Sequence, residues 1–350
     1  MEATEPLQDA LEAQLSAGAP SAVARLEAPS LDRCWAGAAG HLARDDPRQL
    51  RADDAFRLAS VSKCVTATVA VMLDRQDVLS LDKPLGSQLD RELLARWGRF
   101  PALAATTPRQ MLSHTAGLPS YFDPDFVTQA ARDPERRWEP LELADAALTT
   151  SEPLFEPGRG FSYSDTGFVL TGILIEQQTR QPLHAVYRDL VFEPTGMDST
   201  WLEGHEKPRR DRIANHYADD LDLASVSPTI DWAGGGLVST TADLSRFSSA
   251  LWAGDLLDSA AQSELTRWTE GASFPPGHGL RYDRYGLGLG SIRVGKTELL
   301  GHTGFIGAFT FYEPESGATL SGTHNASAVS RWPLVEALCS ELHAWRQSPQ

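Results

Sequence analysis

Lysine is nearly missing from this chain. Of 31 Lys and Arg residues, the lysines are Lys63, Lys83, Lys207 and Lys296. An arginine in a protein does not lose its proton, whereas a buried lysine can. Cysteine is scarce too: Cys34, Cys64 and Cys339 are odd in number and far apart. That excludes a disulfide framework and a structural zinc site. No apolar run reaches the roughly 18 residues a membrane helix needs. Positive charge is short, with 31 basic against 47 acidic residues and a net charge of −16. Nucleic acids and anionic membranes would repel such a chain, so neither is expected as a partner. The nine histidines show no metal-ligand spacing such as His-x-x-x-His, so no metal is expected. The start, Met1-Glu2-Ala3-Thr4-Glu5-Pro6, has no basic region followed by an apolar one. The expected location is therefore cytoplasmic.

What is present is globular. The chain has 350 residues, 41% of them hydrophobic, enough for a large core. Residues 5–16 read as an amphipathic helix, with Leu7, Leu11 and Leu15 four apart. Strands are expected at 22–26 and 33–43, and again at 285–294, 299–302, 307–312 and 318–323. Helices are expected at 61–76, 166–179, 242–252, 260–268 and 332–347. Between about 85 and 225 the pattern is mostly helical with Pro and Gly turns. The glycine runs Gly234-Gly235-Gly236 and Gly286-x-Gly288-x-Gly290 lack the P-loop lysine and its strand–loop–helix context. They read as turns and close packing.

The scarce lysine matters most at Ser60-Val61-Ser62-Lys63. Residues three apart share a helix face, and the apolar run that follows reads as a buried helix. A lysine in its first turn opposes the helix dipole and carries a desolvation cost. An amine that can share its proton, next to a hydroxyl, makes serine a nucleophile. The plain alternative is a capping serine beside a lysine that reaches water. Ser80-Leu81-Asp82-Lys83 has the same spacing and runs into Pro84, so the tetrapeptide alone decides nothing.

Two later stretches add to it: Tyr163-Ser164-Asp165 after Glu156-Pro157-Gly158, and Gly301-His302-Thr303-Gly304-Phe305. In this order they resemble the serine β-lactamase and penicillin-binding superfamily. The likeness is to its branch of class C β-lactamases, DD-peptidases, D-amino-acid amidases and family VIII carboxylesterases. Thr107-Pro108-Arg109-Gln110-Met111-Leu112-Ser113-His114-Thr115-Ala116-Gly117-Leu118-Pro119 and Gly234-Gly235-Gly236-Leu237-Val238-Ser239-Thr240 carry the resemblance further, over residues 20–345 or so.

The resemblance implies an α+β fold: an antiparallel sheet flanked by helices, from residues 1–84 and 226–350, with a mostly helical subdomain, 85–225, inserted. It implies a serine acyl hydrolase working through an acyl-enzyme, without cofactor, on small esters or on amides and peptides of D-amino acids. A DD-carboxypeptidase, a weak β-lactamase and a non-catalytic penicillin-binding sensor are the other readings. Ser60 becomes the nucleophile, Lys63 its proton acceptor and Tyr163 a second proton carrier. His302 stands where class C enzymes have lysine; it is expected to contact substrate and polarise Tyr163. The Ser60 and Phe305 N–H groups form the oxyanion hole. Thr303 and Gly304 flank the substrate, and Tyr121 lines the acyl pocket. Asp165 departs from the branch's asparagine. It either accepts from a substrate amine or from Lys63, or caps the helix expected at 166. His114 reads as structural.

Overall fold

The computed structural model describes residues 5–274 and 281–348. Seven strands form one antiparallel sheet in the order Arg33–Gly40, Ser21–Ala28, Ala318–Thr323, Phe309–Glu313, Thr297–Thr303, Gly290–Val294, Arg284–Tyr285. The two ends of the chain meet inside it, in the second and third strands, where Val23 pairs with Thr323.

Side-chain alternation gives the sheet two unlike faces. Ala22, Ala24, Leu26, Phe309, Phe311, Ala318 and Leu320 share an apolar cluster with Leu7 and Leu11 of the helix Glu5–Ser16. Leu334, Leu338 and Leu342 of the helix Trp332–Gln347 join the same cluster. The other face carries hydroxyls. Thr319 Oγ1 donates to Ser245 Oγ at 3.0 Å, and Ser321 Oγ to the Thr241 carbonyl at 3.0 Å. Thr310 and Ser248 pair at 3.1 Å. These bonds hold the helix Thr241–Ala253 against the sheet and satisfy polar groups buried there.

Residues 85–225 supply short helices, among them Pro108–Leu112, Pro124–Ala130 and Pro140–Leu148, and the long helix Asp165–Thr179. One continuous apolar core joins this region to the rest. Val65, Val69 and Leu73 of the helix Ser62–Arg75 lie in it with Phe168, Leu170 and Leu174. Glycines set how closely the elements approach. At Gly288, φ is +65°, and a Cβ would lie 2.6 Å from the Lys63 carbonyl oxygen. At Gly172, a Cβ would lie 2.6 Å from Trp232 Cζ3. The glycine runs therefore serve packing.

The substitution Gly172→Val is expected to over-pack the helix against Trp232 and Ala233. Overpacking of a filled core costs about 1–3 kcal/mol, so thermal denaturation followed by circular dichroism should show the midpoint lowered by several degrees. An unchanged midpoint would mean that this contact yields freely.

Candidate active site

Ser60 lies in the tight turn Ala59–Val61, just before the helix Ser62–Arg75. It does not cap that helix: Val61 holds the cap position, without a side-chain bond. Ala59 carries φ +45°, a left-handed conformation that costs a non-glycine residue about 1–3 kcal/mol. His114 at φ +60° and Trp232 at φ +35° carry the same kind of strain. Ala59 adjoins Ser60, Trp232 lies two residues before Gly234, and His114 accepts from the Ser164 N–H next to Asp165.

Lys63 is fully buried. Its Nζ lies 3.0 Å from Ser60 Oγ, 2.5 Å from Asp165 Oδ1 and 2.8 Å from the Gly234 carbonyl oxygen. An ammonium has three hydrogens, and three acceptors from three parts of the chain take them. Gly234 lies close to the pair: a Cβ there would lie 3.3 Å from Asp165 Oδ1 and 3.7 Å from Lys63 Nζ.

Asp165 is the first residue of its helix. Ser164 holds the cap position, so the capping reading is corrected. The Asp165 carboxylate accepts from Lys63 and, through Oδ2, from Ser120 Oγ at 3.1 Å. Of its two readings as an acceptor, acceptance from Lys63 is the one the geometry contains.

The Tyr163 ring lies against Lys63, whose Nζ is 5.0 Å from the ring centroid. The His114 ring packs on it tilted by 36°, with centroids 4.2 Å apart. The buried Tyr163 Oη has no hydrogen-bond partner of regular geometry among the described residues. Burial pushes its pKa well above 10, with Tyr285 and Asp165 adding to the rise, while the Ser60 hydroxyl pulls it down. At rest it is therefore a neutral phenol, a proton donor rather than a base.

His302 is fully buried, and both ring nitrogens are engaged. Nδ1 lies 2.7 Å from the Thr303 carbonyl oxygen, which can only accept, so Nδ1 carries the proton. Nε2 lies 2.9 Å from Tyr285 Oη and accepts its proton. Tyr285 Oη in turn lies 3.2 Å from His114 Nε2, and His114 Nδ1 accepts from the Ser164 N–H at 3.1 Å. Every donor in this chain finds an acceptor when both histidines are neutral. Burial, with the positive charge of Lys63, pushes His302 down to about 3 and His114 well below its usual value. The expectation that His302 contacts substrate is corrected: neither nitrogen is free, and its polar partner is Tyr285, not Tyr163.

Tyr121 is also corrected. It is 2% exposed, its hydroxyl donates to the Ile230 carbonyl at 2.7 Å, and Phe126 packs edge-on against it. That makes it core. The Thr303 hydroxyl pairs with Tyr282 Oη at 3.1 Å. At Gly304 a Cβ would lie 2.4 Å from the Leu58 carbonyl oxygen, so glycine there serves the approach to the nucleophile turn, not room for substrate. Phe305 is 52% exposed in the turn that follows, and its N–H makes no backbone hydrogen bond.

Sequence reasoning passed over Ser120, Gly234 and Tyr285. Each lies beside a recognisable motif, and only folding shows which faces Lys63 or His302. Among the described residues, no group of three His, Cys, Asp or Glu side chains could hold a metal, and no helix is long and apolar enough to cross a membrane.

A family model described as Beta-lactamase matches residues 9–331. The chain belongs to the β-lactamase family. Penicillin-binding protein 4* of Bacillus subtilis (strain 168) is 28% identical over 64% of this chain and 50% of its own length. Esterase EstB of Burkholderia gladioli is 33% identical over 49% of this chain and 44% of its own. The chain thus spans about half the length of these curated relatives. The solved D-amino acid amidase of Ochrobactrum anthropi SV3, complexed with L-phenylalanine, superposes with a TM-score of 0.85 at 26% identity, covering 98% of each chain. The α+β fold of this family member is therefore the one its motifs implied.

The buried histidines set a pH dependence. His302 and His324 are pushed down to about 3, His205 to about 4, and His114 and His216 well below 6.5, all chiefly by burial. Unfolded, they bind protons near pH 6.5. The stabilisation they supply is complete above that value and is lost as the pH falls toward their folded values. Asp231, raised to about 7, and Asp243 and Glu176, also raised, work the other way but are fewer. Urea midpoints at pH 7 and pH 5 should show the protein weaker at pH 5; equal midpoints would contradict neutral buried histidines.

Proposed function

We propose that this chain is a serine acyl hydrolase of the esterase and D-amino-acid amidase type, with Ser60 as nucleophile. The observation that carries the reading is the position of Lys63 Nζ. It is fully buried, 3.0 Å from Ser60 Oγ and 2.5 Å from Asp165 Oδ1. A structural lysine would turn to solvent. This one directs a hydrogen bond at a serine in a strained turn, beside a tyrosine whose hydroxyl has no partner of regular geometry among the described residues.

Ser60 Oγ attacks the scissile carbonyl carbon. Lys63 first gives one Nζ hydrogen to Asp165 Oδ1; the neutral amine turns its lone pair to Ser60 Oγ and takes the serine proton, so Lys63 ends as an ammonium and Asp165 as the acid. The negative charge developing on the carbonyl oxygen is met by the Ser60 and Phe305 N–H groups. Tyr163 Oη gives its proton to the leaving group, and the Lys63 ammonium above its ring stabilises the phenolate left behind. In deacylation the path runs back: the Tyr163 phenolate takes a proton from the attacking water, and Asp165 returns its proton through Lys63 to the leaving Ser60 Oγ, so both recover their resting states. His302 holds the Thr303 strand in place and carries no proton to or from substrate. The similarity to an esterase and to a D-amino acid amidase supports this substrate range.

Ser60→Ala is expected to abolish turnover of p-nitrophenyl esters by several powers of ten and to prevent covalent labelling by a fluorophosphonate, read by intact mass. Labelling and activity retained in that variant would sink the assignment. Asp165→Asn removes the proton's destination. It is expected to lower kcat at least about tenfold on esters and amides alike, and a loss confined to substrates with a free amine would contradict Asp165 as the proton's acceptor.

A further inference from the structure

Asp165 is committed to Lys63 and Ser120, so it has no oxygen to offer a substrate amine. Asp231 is the other carboxylate beside it. Lys63, Asp165 and Tyr121 are the charged and titratable groups that act on it or on which it acts. Its main chain is pinned on both sides. The preceding carbonyl, of Ile230, accepts from Tyr121 at 2.7 Å, and three residues on, the Gly234 carbonyl accepts from Lys63 at 2.8 Å. Its own carbonyl accepts from the Gly234 N–H at 3.0 Å and the Gly235 N–H at 3.1 Å.

The side chain differs from its surroundings. The Asp231 carboxylate accepts no hydrogen bond and makes no ion pair with any described residue, and Asp231 is only partly buried while Lys63 is sealed. Room has been made for it: a Cβ on Gly235 would lie 2.2 Å from Asp231 Oδ2. The next residue, Trp232, holds a left-handed conformation at φ +35°. A carboxylate without a donor is costly to keep ionised. Burial and the negative charge of Asp165 raise its pKa to about 7, against the pull of Lys63. No third metal-binding side chain joins it among the described residues.

We propose that Asp231 is a specificity-determining residue that accepts hydrogen bonds from the free ammonium group of the substrate, next to the scissile carbonyl, and so selects unblocked amino-acid amides and esters over their N-acylated forms. This rests on the hydrolase reading above. The ammonium supplies the donors that the protein withholds.

The test compares kcat/KM for D-alanine p-nitroanilide and its N-acetyl derivative, and the L pair, in wild type, Asp231→Asn and Asp231→Glu. The ratio of free-amine to N-acetyl rates is expected to fall about tenfold or more in the Asn variant, as for loss of a charge-assisted hydrogen bond. The Glu variant should recover part of it. In wild type the ratio should climb through about pH 7 as Asp231 ionises and decline once the substrate amine deprotonates near 7.7–8.0; in the Asn variant the climb should vanish. A ratio unchanged within about twofold in an Asn variant still labelled at Ser60 by a fluorophosphonate would overturn the role of Asp231 and leave the hydrolase standing. Wild-type protein that labels but turns over neither anilides nor p-nitrophenyl esters would overturn the hydrolase reading, and this inference with it.

Discussion

A single buried ammonium organises the molecule. Lys63 has no solvent exposure, so its charge must be met by acceptors the chain delivers. They come from Ser60, Asp165 and Gly234, positions far apart in sequence. Each imposes a local condition. The turn at Ser60 requires left-handed backbone at Ala59. Asp165 must open its helix rather than cap it. Gly234 must bring its carbonyl against the pair. Removing one partner of a buried ion pair leaves an uncompensated charge, a loss of about 3–5 kcal/mol. The strain at Ala59, His114 and Trp232, about 1–3 kcal/mol each, is of comparable size, and it persists because the surrounding packing fixes these backbones.

The same requirement explains what could be read in the sequence. A buried helix at 61–76 and a lysine at its head violate helix-dipole and burial preferences together, and that conflict is visible without a structure. Strand alternation and the long apolar helix at Asp165–Thr179 were legible for the same reason, since periodicity is local. The roles of Tyr121 and His302 were not. Both were placed near substrate because their motifs are, yet burial and hydrogen-bond saturation are properties of the folded neighbourhood. The Tyr121 hydroxyl is consumed by the Ile230 carbonyl and the His302 nitrogens by Thr303 and Tyr285. Tyr285 had no signal beyond lying ahead of a glycine run. Its importance comes from the antiparallel pairing that sets the strand Gly290–Val294 beside Thr297–Thr303 and brings Tyr285 within reach of His302.

Keeping His302 and His114 neutral has an electrostatic consequence. Two imidazolium charges beside Lys63 would oppose its ammonium and stabilise a tyrosinate at Tyr163 before any substrate arrived. With both neutral, Lys63 is the cation that governs the Ser60 and Tyr163 protons. The hydrogen-bond chain from the Ser164 N–H through His114, Tyr285 and His302 to the Thr303 carbonyl allows one proton arrangement when the rings are uncharged. That fixes the strand edge next to the nucleophile without adding a charge to it.

The carboxylate at position 165 then acquires a second meaning. An asparagine there would leave the Lys63 charge available to other acids nearby. Asp165 takes it, by direct contact, and so Asp231 is left with little compensation although Lys63 lies close by. One ammonium satisfies one carboxylate well and a second poorly, because the nearer carboxylate also repels the farther one. Burial first, and then the negative charge of Asp165, raise the pKa of Asp231 against the pull of Lys63. An arriving cation restores the balance, and the free energy the protein withholds from Asp231 in the empty site becomes free energy that distinguishes an ammonium from a neutral amide. The departure from the asparagine pattern at Asp165 and the unmatched carboxylate at Asp231 are in this sense one feature of the site.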